Sequence, residues 1–308
     1  MTMKNRPISI QELVRSSRQV TRVLNDTVTI VDGLAPLTSA GPSHISLAAR
    51  GKTRNLAAAK AGVIVTNIEQ AELEQLGNFG AVTWILVAEP RLFLAEIREY
   101  FDPDEMPGVS TDANVHPEAA VPSSARIEAG AQISSGCILG DGVHILAGSI
   151  VMPNTVIEAN SRIGPNATIG ARGFGFAPDS DGWHRLPHAG RVTIGQRVEI
   201  GAGTVIDRGS LDDTQIQDGC KISGNVHISH NVVIGEHSMI AGQVMVSGSC
   251  KIGSEVWLSP GTTLMNGVTL GNGCMTGLGA VVIGDVPARK LVVGVPARVR
   301  GERRHFLR

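Results

Sequence analysis

Aromatic side chains are scarce in this 308-residue chain, which has six Phe, three Trp and one Tyr. A core built around large rings is therefore excluded, and small aliphatic residues must pack with unusual regularity. Charge is low as well: Asp, Glu, Lys and Arg make up 18% of residues, against about 25% in an average globular chain. A formal net charge of -1 excludes a basic nucleic-acid surface, and a 42% hydrophobic content excludes disorder. No apolar run approaches the ~18 residues that span a bilayer. The opening stretch MTMKNRPISIQELVRSSRQV is broken by charge throughout and has no apolar signal core, so a cytoplasmic location is expected. Glycine is the exception to this scarcity, with 37 residues.

An internal repeat accounts for the glycine. Aliphatic residues recur every sixth position from Val115 through Ile127, Ile133, Ile145 and Ile157 to Ile169. The phase returns at Ile194, Ile200 and Ile206, slips by four residues, and then runs unbroken from Ile216 through Ile228 and Val246 to Val282. Of 25 such positions only Thr276 is not aliphatic; at a 42% apolar rate, 24 matches would arise on the order of once in a billion draws. A period of six fits neither a helix nor an alternating strand. It fits a β-solenoid of short strands joined at Gly- or Asn-bearing corners, three hexads to a coil of 18 residues. Coils would lie roughly 4.8 Å apart, and about eight of them would make a rod on the order of 40 Å long.

The four cysteines respect the same register. Cys137, Cys220, Cys250 and Cys274 each follow a repeat position by four residues, in a slot otherwise filled by Ala, Ser, Thr or Val. No two are 18 apart and none forms a CxxC pair, so they read as small buried residues in a reducing compartment rather than as a disulfide or metal set.

Residues 1–105 lack the repeat and read as a small α/β domain. Helices are expected at Ile8–Ser17, Asn55–Ala61 and from Pro90, with strands at Gly62–Thr66 and Val82–Val87. Residues 106–114 read as a hinge, 115–290 as the solenoid and 291–308 as a tail.

Two insertions interrupt the coils, and such insertions often form a binding face. The first, 172–192, carries Phe174, Phe176 and Trp183, which a prism of aliphatics cannot admit. They must cover its outside or a neighbouring subunit. The second, DRGSLDDT, puts Asp207 and Arg208 in a short loop. Arg208 could fork onto phosphate or carboxylate, or an Asp207–Arg208 ion network could simply brace the loop. Among the histidines, His230 falls at a corner, and 18 residues on lies Gly248. An imidazole base beside a backbone N–H that can stabilise an oxyanion is the minimum for acyl transfer; a solvated surface histidine is the other reading. His227 is the next candidate. A zinc site of the carbonic-anhydrase type needs a His pair spaced by five, and none exists, so no metal is expected.

The stretches GFGFAPDSDGWHRLPHAGRVTIG, VEIGAGTVIDRGSLDDTQI and HISHNVVIGEHSMIAG closely resemble the UDP-3-O-(3-hydroxyacyl)glucosamine N-acyltransferases of lipid A synthesis, within the hexapeptide-repeat superfamily. The resemblance covers about residues 28–285. It implies a mainly β fold, a left-handed parallel β-helix preceded by a small α/β nucleotide-binding-like domain. It implies a homotrimer with active sites between subunits, His230 as general base and the Gly248 amide as oxyanion donor. His227, Asn231, Asp207, Arg208, Phe174 and Phe176 would bind substrate. The expected chemistry has a neutral His230 take a proton from a sugar amine as it attacks a thioester, with no bound cofactor. Activity would then fall as pH drops through the range where imidazole protonates.

The chain departs from that family in three places. Where an aromatic, an Asn and a Tyr hold uracil, this chain has Leu47, Arg50 and Thr53; nucleotide contact is expected instead from Leu47, Arg50 and Lys52. A second family histidine falls on Gly267. The helical extension that docks acyl carrier protein is replaced by VVGVPARVRG, which resembles the tail of CoA-dependent sugar and serine acetyltransferases. The donor is therefore expected to be either acyl carrier protein or acyl-CoA, the latter with an amino-sugar nucleotide of O-antigen or capsule. A non-catalytic solenoid scaffold is the third reading.

Overall fold

The computed structural model describes residues 7–50, 55–101 and 107–303. It falls into two compact units, Met1–Glu105 and Met106–Arg308.

The first unit is a five-stranded sheet in the order Val20–Leu24, Thr83–Val87, Val63–Thr66, His44–Ala48, Gly33–Leu34. The first of these runs antiparallel to its neighbour and the rest are parallel. Strand alternation sends Val63, Val65 and Ile85 to one face, where the helices Ile10–Arg15 and Pro90–Glu96 supply Leu13 and Phe93. Ile64 and Trp84 go to the other face with Leu56 and Leu73. Two strands and the Pro90 helix stand where the sequence places them. The Asn55–Ala61 helix does not form: only a single 3-10 turn, Leu56–Ala58, is present, entered from Asn55 at φ 70°. The Ala-rich composition favours a helix, but that left-handed entry and the packing of Leu56 under the sheet win.

The second unit is a parallel β-helix with three faces. Two-residue strands stack with Ile133 on Val151, Ile145 on Ile163 and Ile240 on Leu258, in steps of 18. The insertions are absorbed without loss of register: Ile157 pairs with Ile194, and Ile206 with Ile228. The repeat positions from Ile127 to Val282 are buried in one continuous core. Thr276 joins them fully buried, its hydroxyl 2.7 Å from that of Thr262. Corners take positive φ, at glycines such as Gly136 (66°) and at asparagines such as Asn160 (59°), a conformation costly for branched side chains.

The β-helix is longer than the repeat alone indicates. Gly108–Val109, inside the expected hinge, already pairs with Arg126–Ile127. Lys290–Val293 adds a parallel strand on Met275–Thr276, and Arg298–Glu302 folds back antiparallel on it, so the expected tail is part of the sheet. The cysteine slot has a second property besides small size. Its side chains cap corner carbonyls of the next coil: Cys220 Sγ donates to Gly235 O at 3.1 Å, Ser149 Oγ to Gly164 O at 2.8 Å and Ser238 Oγ to Gly253 O at 2.9 Å. All four cysteines are free and buried.

Candidate active site

The site is made by four consecutive coils, which supply Asp207, His227 to His230, Met245 to Gly248 and Asn266 in turn, and by the first insertion. Residues 172–192 leave the β-helix as a hairpin, with Phe176–Asp179 antiparallel to Gly182–Arg185. The second insertion holds its base. Arg191 pairs with Asp213, its N–H and Nε each 3.0 Å from the carboxylate, and Ala189 N–H reaches Ser210 O at 2.6 Å. Arg208 Nε donates to Gly190 O at 2.7 Å and Nη2 to Pro153 O at 3.4 Å. The structure thus corrects two expectations for that loop. Arg208 does not line the cleft, because its guanidinium is committed to backbone carbonyls, and no Asp207–Arg208 ion pair forms, because Asp207 turns to His227.

Between hairpin and coils lies an open cleft of about 660 Å³. His230, Gly248, His227, Asp207, Phe174 and Phe176 line it together with Arg172, Arg185, Ser229, Met245 and Asn266. His227 pairs with Met245 and Ile228 with Val246 in parallel register, so Gly248 sits one coil beyond His230. A Cβ built on Gly248 would lie 2.8 Å from His230 Nε2 and 2.7 Å from its Cε1. Only glycine leaves the imidazole its place.

Asn231 is expected to bind substrate, but the structure gives it another task. Its Oδ1 accepts from Ser210 N–H at 3.1 Å, and its Nδ2 donates to Asp212 O at 3.1 Å. Those two backbone partners fix which end of the amide is oxygen. The same Oδ1 is 2.8 Å from His230 Nδ1, so Nδ1 carries the proton and donates, and Nε2 keeps its lone pair, facing Gly248. An imidazole in this tautomer is ready to accept a proton at Nε2. With all its polar atoms engaged, Asn231 positions the histidine and does not line the cleft.

His188 packs edge-on against His230 with ring centroids 5.5 Å apart. It fits there because Gly173 and Gly175 have no side chains; a Cβ on either would lie within 3.0 Å of its ring. His227 Nε2 is 3.0 Å from Asp207 Oδ2, and the hydrogen bond to this buried carboxylate raises the His227 pKa above the ordinary histidine value. Phe176 stacks edge-on with Phe174 at 5.2 Å and lies 4.7 Å beneath the Arg185 guanidinium. Phe174 and Trp183 are 87% and 73% exposed.

The nucleotide residues expected in the first unit are placed differently. Leu47 packs against the hydrophobic core of that unit. Arg50 is exposed, 3.6 Å from Glu69, with its N–H on Asn67 Oδ1 at 2.8 Å. Lys52 lies outside the described residues.

The family model for the bacterial transferase hexapeptide (six repeats) matches residues 136–171 and 213–248. The coils are hexapeptide repeats, the unit of left-handed parallel β-helices. The second match runs from Asp213 to Gly248 and contains His230. Over 110 residues the chain is 32% identical to the UDP-3-O-acylglucosamine N-acyltransferase of Cupriavidus taiwanensis, covering 33% of this chain and 30% of that protein. The match therefore spans about a third of that curated relative. The solved structures of the UDP-N-acetylglucosamine acyltransferases of Campylobacter jejuni and Francisella novicida share the fold. Their TM-scores are 0.58 and 0.59 at 23% identity, and each covers 63% of this chain with 75% and 70% of the other. The hexapeptide coils account for the stacking that juxtaposes His230 and Gly248. Reading in steps of 18 finds two residues that the sequence alone left unassigned: Met245 above His227 and Asn266 above Gly248. Arg172, Arg185 and His188 carry no such signal, because they lie on the insertion.

Among the described residues no group of three or more His, Cys, Asp or Glu is arranged to hold a metal ion, and no helix is long and apolar enough to cross a membrane.

Proposed function

We propose that this protein is an N-acyltransferase that moves an acyl group from a thioester to the amine of a nucleotide-linked amino sugar. The observation that carries the reading is His230, with its proton held on Nδ1 by Asn231 and its basic Nε2 against Gly248 in an open cleft. The amine attacks the thioester carbonyl while Nε2 takes its proton. The oxyanion then forms beside the Gly248 N–H, which makes no hydrogen bond among the described residues. Collapse expels the thiol and leaves an amide. The scheme calls for no bound metal or cofactor. The partial likeness to a UDP-3-O-acylglucosamine N-acyltransferase supports the acyl and sugar-nucleotide classes. The exposed rings of Phe174 and Trp183 are surface that neighbouring subunits of a homotrimer would cover. Four free thiols suit the reducing cytoplasm, where acyl-CoA and acyl carrier protein are found.

A second reading takes acyl-CoA in place of acyl carrier protein. It is favoured by residues 290–303, which form a β-hairpin on the coils where the family resembled has a helical docking extension. A donor panel of acetyl-CoA, longer acyl-CoA and 3-hydroxyacyl carrier protein, crossed with 2-, 3- and 4-amino sugar nucleotides, tests both. Turnover abolished by His230→Ala in a variant that still folds is the expected result; an unaffected His230→Ala variant would sink the assignment. A protein inert to every thioester would leave the scaffold reading standing.

A further inference from the structure

The cleft holds a second imidazole that the acyl-transfer step does not use. His227 extends from the strand His227–Ile228 with its side chain 43% exposed, and its Nε2 is 3.0 Å from Asp207 Oδ2. Asp207 comes from the preceding coil, where Ile206 pairs with Ile228, and its side chain is only 7% exposed. His227 Nδ1 has no hydrogen bond among the described residues. Two histidines three residues apart thus share one cleft with opposite partners. His230 gives its Nδ1–H to a neutral amide and keeps a lone pair on Nε2. His227 is paired with a buried carboxylate, which favours its protonated form. Groups whose surroundings divide them in this way are the usual mark of an acid and a base.

We propose that His227 is the acid of the transfer, delivering a proton to the departing sulfur while His230 acts as base. This rests on the acyl-transfer reading above. The C–N bond forms as the amine proton passes to His230 Nε2. The oxyanion then reforms the carbonyl, the C–S bond breaks, and the sulfur takes the proton from His227 Nδ1 to leave as a neutral thiol. His230 returns its proton to solvent and His227 regains one, so the cycle closes without a co-reactant. The charged and titratable groups facing His227 are Asp207 from the preceding coil, His230 from the next corner, and Arg172 and Arg185 from the insertion; the coil above offers Met245. The two guanidiniums oppose a charged His227. Asp207 outweighs them because it is in direct contact, and its own burial limits solvent screening of the carboxylate.

The test is kcat against pH for the wild type, His227→Gln, Asp207→Asn and His230→Ala, using the pair from the donor panel that turns over, with histidine NMR titration of the free proteins. Wild-type kcat is expected to fall on both sides. His227→Gln should lose the alkaline fall and about a hundredfold in kcat, with KM little changed. Asp207→Asn should move the alkaline fall, and the NMR titration of His227, to lower pH. A thiophenyl thioester donor, whose thiolate leaves unprotonated, should narrow the His227→Gln deficit, a rescue that no loss of folding would produce. An inactive His230→Ala beside a His227→Gln variant that keeps its alkaline fall and kcat within twofold overturns the assignment of the acid alone. A fully active His230→Ala overturns the acyl-transfer reading, and this inference with it.

Discussion

Gly248→Ala adds one methyl at the point where the coil geometry and the chemistry meet. The new Cβ would stand 2.7 Å from His230 Cε1, 2.8 Å from its Nε2 and 2.9 Å from Asn266 Oδ1. Unstrained carbon contacts need ~3.5 Å or more, so the ring must retreat by about 1 Å. Retreat draws Nδ1 off Asn231 Oδ1, now at 2.8 Å, at a cost of about 1 kcal/mol in stability. At the nitrogen proposed to take the proton, a displacement of that size costs ~10²-fold in turnover. Gly248 does not have a left-handed φ, so its backbone accepts alanine. The expected variant therefore melts within about 2–4 °C of the wild type and turns over about a hundredfold more slowly. Gly279→Ala is the control: its φ is +63° and a Cβ there meets nothing within 4 Å, so it costs ~1–2 kcal/mol of backbone strain and spares the chemistry. Melting curves and steady-state rates on the two variants decide the matter. Wild-type turnover in Gly248→Ala, or an equal loss in Gly279→Ala, would refute the stacked His230–Gly248 geometry as the source of activity.

Asn231→Gly keeps the left-handed corner, since Asn231 already has φ 60°, but removes the acceptor that fixes the His230 tautomer; kcat should fall by about tenfold or more with KM nearly constant. Cys220 is buried and its thiol is pushed up to about 11, so at pH 8 only about one molecule in a thousand holds a thiolate. Mass spectrometry should find it unalkylated by iodoacetamide until the protein is denatured. Asp207 holds His227 above the ordinary histidine value, so their pairing stabilises the fold fully below pH ~6.5 and loses that contribution as pH rises through the folded value. Asp207→Asn should accordingly lower the melting temperature more at pH 6 than at pH 9, and an equal loss at both would count against the pair.

The coils were legible in the sequence because three strands per turn impose a period that no other packing produces. Ile133 sits on Val151 as read, and the 18-residue step from His230 to Gly248 holds because no insertion falls between them. Reading failed where the step is broken. Asp207 and His227 are 20 residues apart across the four-residue slip, so no fixed interval announces their pairing. His188 reaches His230 from the return arm of the 172–192 insertion, and only the bare backbone of Gly173 shows that a ring fits there. In the first unit, the edge strand Val20–Leu24 has no cleanly buried face, and His44–Ala48 is built partly of Ser and Ala, so neither alternates visibly.

The same contrast shows where specificity can change without loss of the fold. The buried positions of the coils answer to one another every 18 residues, and Ile→Ala there costs ~2–5 kcal/mol. The cleft is divided between two kinds of surface. His230, Gly248 and Asn266 are set by the coils, while Phe174, Phe176, Arg172 and Arg185 belong to an insertion tied down by Arg191–Asp213 and Arg208. Substitutions of Phe174, Phe176, Arg172 or Arg185 therefore alter what the cleft accepts while His230 stays in place. Cutting the Arg191 and Arg208 ties instead frees the hairpin as a whole, and with it the His188 ring that packs on His230. Any loss of turnover in Arg208→Ala would then reach His230 through His188, although Arg208 itself lies outside the cleft.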